Sequence, residues 1–171
     1  MNKYPMMKKQ LIIALSVAVM LVTAGLMTAC KTMTAAELAE LAKKVTKCLD
    51  ERHYTIDVQM MMPQGGPARN VSGNWSLEVR NDSLFSYLPY VGRAFNIPMG
   101  GGKGLNFTAP IIHYTEATGK NGKRRIEIDV RNDEDSYNYM IEVFDNGNAS
   151  IDVTARERDN ISFSGNLVVD D

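Results

Sequence analysis

Ser136-Tyr137-Asn138-Tyr139-Met140-Ile141-Glu142-Val143, then Phe144-Asp145-Asn146-Gly147, then Asn148-Ala149-Ser150-Ile151-Asp152-Val153-Thr154-Ala155: on both sides of an Asn-Gly pair, apolar side chains take every second place. A strand points successive side chains to opposite faces, so a period of two marks a sheet with one buried face. Asn-Gly supplies the positive φ angles of a two-residue hairpin turn. The stretch predicts two antiparallel strands joined as a hairpin, dry on one side and wet on the other.

The same period runs outward from this segment in both directions. Upstream lie Ile126, Ile128 and Val130, before them Gly73, Trp75, Leu77 and Val79, and before those Tyr54, Ile56, Val58, Met60 and Met62; downstream lie Ile161 and Phe163. Turn signals separate them at Asn81-Asp82, Asn121-Gly122, Asn132-Asp133 and Asp159-Asn160. With Leu84 to Leu88 and Ile111 to Glu116 the reading reaches about eight antiparallel strands. So many strands must limit their open edges, which predicts closure into a barrel or a two-layer sandwich. Two loops interrupt the meander: Pro63 to Asn70, and the glycine-rich Val91 to Gly104. A loop as long as the second is often functional in a small domain.

Ahead of the strands the period is helical. Thr34 and Glu37 have the spacing of a capping box, and Leu38, Leu41, Val45, Cys48 and Leu49 form an apolar stripe over about residues 35 to 52. Glu37 and Glu40 lead while Lys43, Lys44 and Lys47 follow, an order that suits the helix macrodipole. The fold class expected is therefore mainly β with one N-terminal helix (α+β). Met61, Met140 and Phe144 are apolar on the side of their strands that should be wet, so the helix is expected to cover that second face with Leu38, Leu41, Val45 and Leu49.

The first residues read as a targeting segment. Lys3, Lys8 and Lys9 precede a run without charge from Leu11 to Met27, which closes on Met27-Thr28-Ala29-Cys30. The run is short of the roughly 20 apolar residues that span a bilayer, and a cysteine after two small residues resembles the end of a bacterial lipoprotein signal. Residues 1–29 are thus expected to be removed as a signal peptide. Cys30 then becomes the lipidated N-terminus, 30–34 a tether, and 35–168 a single β-rich domain. Removing 1–29 takes away three lysines and no acid, leaving 16 basic residues against 20 acidic ones, or −4. That balance lacks the basic excess of a nucleic-acid binder. With Cys30 lipidated, Cys48 has no partner in the chain and no disulfide is expected.

The sequence carries few of the patterns that chemistry requires. Gly102-Lys103-Gly104 lacks both the upstream glycine, Ile97 standing in its place, and the hydroxyl of a phosphate loop. His53 and His113, the only histidines, have no metal-ligand pattern around them. Asp133-Glu134-Asp135 lacks the glycine and distal glutamate of a calcium loop and reads as a solvated hairpin tip. No metal, cofactor or acid/base set is expected, and an enzyme ranks behind the binding classes.

Leu88-Pro89-Tyr90-Val91-Gly92-Arg93-Ala94-Phe95, Gly104-Leu105-Asn106-Phe107 and Ile161-Ser162-Phe163-Ser164-Gly165 together resemble the Bacteroidetes family catalogued as domain of unknown function 4251. Phe95 and Phe163 stand where that pattern carries tyrosine. The resemblance covers about residues 35 to 168 and implies a secreted or lipid-anchored β domain, without an activity. The mature start, Cys30-Lys31-Thr32-Met33, lacks the early acidic run that marks many surface-exported lipoproteins of that phylum. The expected place is the outer membrane, facing the periplasm. Two functions are carried forward: a non-catalytic module binding a small apolar or amphipathic ligand, with Tyr90, Arg93 and Phe95 at its mouth, and an envelope protein–protein interaction or scaffold domain.

Overall fold

The computed structural model describes residues 33–96 and 102–169. The expected signal peptide and Cys30 lie outside the described residues, as do 97–101 of the glycine-rich loop. The chain from Thr34 to Asp171 forms one compact unit.

One helix, α1 (Ala35–Asp50), precedes nine strands: β1 (His53–Pro63), β2 (Arg69–Asn70), β3 (Ser76–Arg80), β4 (Ser83–Leu88), β5 (Leu105–Thr118), β6 (Arg124–Arg131), β7 (Ser136–Val143), β8 (Asn148–Ala155) and β9 (Ile161–Leu167). All pairings are antiparallel, and from β3 to β9 each strand pairs with the next in sequence. β1 pairs with β3 on one side and with β9 on the other, which closes eight strands into a ring. The architecture is a closed barrel, and the sandwich alternative falls away because no second layer or free edge pair is left to form one. The ninth strand, β2, is a two-residue attachment to Met60 and Met61 inside what the sequence reads as loop.

Two long strands make the closure. β1 gives its first half to β3 and its second half to β9, with a bulge between Val58 and Met60; β5 gives Leu105–Pro110 to β4 and Ile111–Thr118 to β6, with a bulge between Ile111 and His113. A bulge adds one residue to one strand, bends it and sharpens its twist. It also resets the inside-outside alternation. Met61 and Pro63 are therefore the buried residues at the end of β1, where the period of Tyr54, Ile56 and Val58 would have placed Met60 and Met62. Ile112, the extra residue of β5, is 67% exposed for the same reason.

An eight-strand barrel has an interior just wide enough for its own side chains. Here they fill it. Tyr139, Phe163, Ile56, Leu77, Leu84, Leu88, Ile126, Ile128, Ile141 and Ile151 are among the large side chains with under 2% of their surface free. The Tyr139 hydroxyl donates to Ser86 Oγ at 3.0 Å, and Ser86 Oγ donates to the Leu105 carbonyl at 2.7 Å, so this polar chain is satisfied and ties β7 to β4 across the lumen. Burial raises the Tyr139 pKa, and the phenol stays a donor throughout the ordinary pH range.

The helix goes to the end of this barrel rather than to its outer face. Its capping box is formed: Thr34 Oγ1 accepts from the Glu37 N–H, and Glu37 Oε2 accepts from the Thr34 N–H at 2.7 Å. Val45 and Leu49 are buried in the same core as the lumen side chains, with Leu41 and Cys48 packed against it, while Leu38 is 42% exposed. Asp50, just before β1, meets Arg124 of β6 at 2.7 Å. In the ring β6 is four strands from β1 in either direction, so only a helix C-terminus lying over the open end can make that contact. The expected cover for the second sheet face is thereby overturned: Met61 turns inward through the bulge, and Phe144 remains 42% exposed.

Candidate functional site

At the end of the barrel away from α1, the chain leaves β4 at Leu88, and Tyr90, Arg93 and Phe95 follow in the segment the sequence singles out. Ala94 forms a bridge with Arg158, the Phe95 N–H donates to the Glu157 carbonyl at 2.7 Å, and the Asp159 N–H donates to the Arg93 carbonyl at 2.9 Å. A short antiparallel clasp thus holds residues 93–95 against 157–159. Tyr90 locks it: its hydroxyl is shared between the carbonyls of Arg93 (2.9 Å) and Asp159 (3.1 Å). Gly92 is required beneath it, since a Cβ there would stand 2.6 Å from the Tyr90 hydroxyl oxygen. Burial, followed by the nearby Asp159 charge, raises the Tyr90 pKa and keeps that donor protonated.

Arg93 and Asp159 form the second part of the clasp. Asp159 Oδ2 accepts from the Arg93 backbone N–H at 3.0 Å and from Arg93 Nε at 3.2 Å. These bonds, the backbone one first, hold the Asp159 carboxyl below its usual range. Phe95 does not join the clasp with its side chain; its ring is 66% exposed. The structure therefore brings two of the three expected mouth residues onto Asp159, Tyr90 at its backbone carbonyl and Arg93 at its carboxylate, and leaves the third as an exposed aromatic beside them.

Below the clasp sits a buried charged cluster. Arg158 reaches Asp135 Oδ2 and Glu134 Oε2, each at 3.3 Å, and its guanidinium lies 5.5 Å from the centres of both the Tyr90 and Tyr137 rings. Side-chain exposure is 5% for Arg158, 5% for Glu134 and 0% for Asp135. Asp135 also accepts the backbone N–H groups of Ser136, Arg156 and Glu157. The sequence reads 133–135 as a solvated tip; in the fold only Asp133 is solvated, paired with Lys103 Nζ at 2.9 Å, while its two neighbours carry the β6–β7 and β8–β9 turns. Glu134 reaches further, accepting the Lys103 N–H at 2.8 Å. Lys103 is therefore spent on two carboxylates. Among the described residues no group of acidic, histidine or cysteine side chains has the geometry to hold a metal ion.

Between the clasp and the β1–β2 loop runs a surface groove of about 530 Å³, walled by Pro63, Gly65 and Gly66 on one side and by Val91, Gly92 and Arg93 on the other, with Arg69 and Asp159 at its margins. Both walls are fastened to consecutive residues. Asp159 holds the 91–93 wall as described, and Asn160 holds the other: its N–H donates to Gln64 Oε1 at 3.1 Å and its carbonyl accepts the Gln64 N–H at 3.3 Å. Asp159, Asn160 and Arg69 are residues that sequence reasoning missed as site components. The only signal for Asp159 and Asn160 was the Arg-Glu-Arg-Asp-Asn run between two apolar strands, which reads equally well as an ordinary turn, and Arg69 had none beyond its place in the Pro63 to Asn70 loop.

The fold and groove define a closed eight-strand antiparallel barrel, plugged by an N-terminal helix at one end and carrying a fastened surface groove at the other. The chain belongs to the family described as domain of unknown function (DUF4251), whose model matches residues 36–167. A crystal structure of a DUF4251 family protein from Bacteroides eggerthii shares the fold, with a TM-score of 0.58 and 16% identity over 77% of this chain and 89% of that one. Among curated proteins nothing matches the sequence.

Proposed function

We propose that the domain is a non-catalytic binding module that takes a small apolar or amphipathic ligand in the groove between the β1–β2 loop and the clasp. The observation that carries this reading is the fastening of both groove walls to Asp159 and Asn160. A concave site held in place before the ligand arrives loses less entropy on binding. The filled lumen moves the expected ligand from the barrel interior to this outer groove, and Tyr90 and Arg93 become the residues that build its rim. The test uses Gly65, where an added Cβ meets nothing within 4 Å. Gly65 lines the groove, so Gly65→Trp is expected to crowd it, and an unchanged unfolding temperature checks that the fold is kept. Mass spectrometry of small molecules copurifying with the full chain is expected to find one on the wild type and none on the variant; equal retention by both contradicts the reading.

Exposed Phe95 and Val91 beside the same groove favour a second reading, an envelope protein–protein contact. Under it Phe95→Ser abolishes a protein complex that Gly65→Trp leaves intact. For the chain's place in the cell, we propose a lipid on Cys30 that anchors it in the bacterial envelope, at the outer membrane facing the periplasm. Cys30→Ala is expected to abolish labelling by a lipid analogue, and protease shaving of whole cells to leave the wild type uncut. Labelled Cys30→Ala, or efficient shaving, contradicts the anchor or its orientation respectively.

A further inference from the structure

We propose that the ligand of this groove carries an anionic group, a carboxylate or a phosphate ester, on a short apolar body, and that Arg69 and Arg93 receive the charge; the inference rests on the groove being the binding site. Arg69 sits on β2, whose backbone is pinned to Met60 and Met61, so its Cα has a fixed place. Its side chain folds back over the loop: Nη2 lies 3.7 Å from the point that a Cβ on Gly66 would occupy. That puts the guanidinium at the groove wall, where it has no hydrogen bond or ion pair with any described residue. Arg93 differs. Its backbone N–H and Nε are both given to Asp159 Oδ2, which fixes the plane of the guanidinium while the terminal nitrogens have no partner among the described residues and 83% of the side chain is open.

Charge complementarity decides the sign of the ligand. Among the described residues Asp159 is the only acid lining the groove, and it is paired with Arg93, so the unbalanced charge there is the cation of Arg69. A guanidinium presents a planar fork of donors that matches the two oxygens of a carboxylate or phosphate, and such charge-assisted pairs are among the strongest polar contacts. Pro63, Val91 and the glycine backbone supply the apolar wall for the rest of the molecule.

The test is calorimetric titration of the full chain with decanoate, decyl phosphate and decanol below their micellar concentrations. Decanoate and decyl phosphate are expected to bind at least about tenfold more tightly than decanol, and Arg69→Gln to remove about tenfold of that preference, a difference of 1.4 kcal/mol. Unfolding temperature should not move, because Arg69 has no partner to lose, and Arg69→Lys should restore part of the preference by returning charge without the fork. Decanol binding as tightly as the two anions, with Gly65→Trp blocking all three, overturns the anionic assignment and leaves the groove. Binding that Gly65→Trp does not change overturns the groove reading itself. Decanoate binding alone, without decyl phosphate, keeps the assignment and selects the carboxylate.

Discussion

The two ends of the barrel are closed by different physics. The helix end is sealed by apolar burial: Val45 and Leu49 drop into the same core as the lumen side chains, and the polar groups around them are rim contacts such as Asp50 with Arg124. The loop end is held by hydrogen bonds and charge, with Arg158 buried between two carboxylates and Tyr90 and Asp159 clasping a short irregular segment. Apolar contact is non-directional and tolerates sliding. Hydrogen-bonded networks fix one geometry. A plug needs only the first, whereas a groove that must keep its shape while open to solvent needs the second.

The largest expected effect tests the loop end. Arg158→Met leaves Glu134 and Asp135 buried without their cation and is expected to cost about 3–5 kcal/mol in denaturant unfolding. A cost under about 1 kcal/mol would mean that the cluster does not hold this end. At the helix end, Leu49→Ala removes a fully buried side chain and is expected to cost about 2–5 kcal/mol, while Leu41→Ala, one turn outward from Val45 and only half-buried, should cost about 1 kcal/mol. Equal costs for the two leucines would return the helix to a lateral position on the sheet. A matched pair of tyrosines then sharpens the contrast. The Tyr54 hydroxyl, buried at the start of β1 by the helix, has no hydrogen-bond partner among the described residues, and Tyr54→Phe should be neutral or stabilising by up to about 1 kcal/mol. Tyr90→Phe, which frees two carbonyls of the clasp, should destabilise by about 1 kcal/mol and raise exchange of the Asp159 amide.

The smallest effect is on pH. Arg93 lowers the pKa of Asp159, and Lys103, chiefly through its side-chain hydrogen bond, lowers that of Asp133. A carboxyl whose folded pKa lies below its unfolded value contributes stability that is complete above the unfolded value, near 4, and is lost as the pH falls through the folded one. Protection of the Arg93 amide, corrected for intrinsic exchange, should therefore decline below about pH 4 before that of Ile141 in the core. Loss of both together would show that the two ends titrate as one.

Much of the barrel was legible because period two survives wherever one face is dry: β6, β7, β8 and the start of β9 run as their apolar residues indicate. The bulges were not. One inserted residue in β1 or β5 leaves composition unchanged yet turns Met61 inward and Ile112 outward. The choice between barrel and sandwich depends on β1 meeting β9, about a hundred residues away, and no local pattern encodes that meeting. Gly165 is its trace: a Cβ there would lie 1.8 Å from the Asp57 carbonyl oxygen, so glycine at that point allows the closing strands to touch. The helix was readable from Thr34 and its apolar stripe, but the same stripe fits a sheet face and a barrel end alike. At the site, Tyr90 and Arg93 could be named from their motif, whereas Asp159, 66 residues from Arg93, joins them only through the fold.

Ligand binding in the groove is tested most directly by where a ligand perturbs the protein. In amide-shift mapping of the full chain titrated with decanoate, Gly65, Gly66, Arg69, Val91 and Gly92 are expected to move, while Val45 on the helix and Ile126, Tyr139 and Ile141 in the lumen stay still. Shifts concentrated on the helix or the lumen residues, with the groove unmoved, would contradict it.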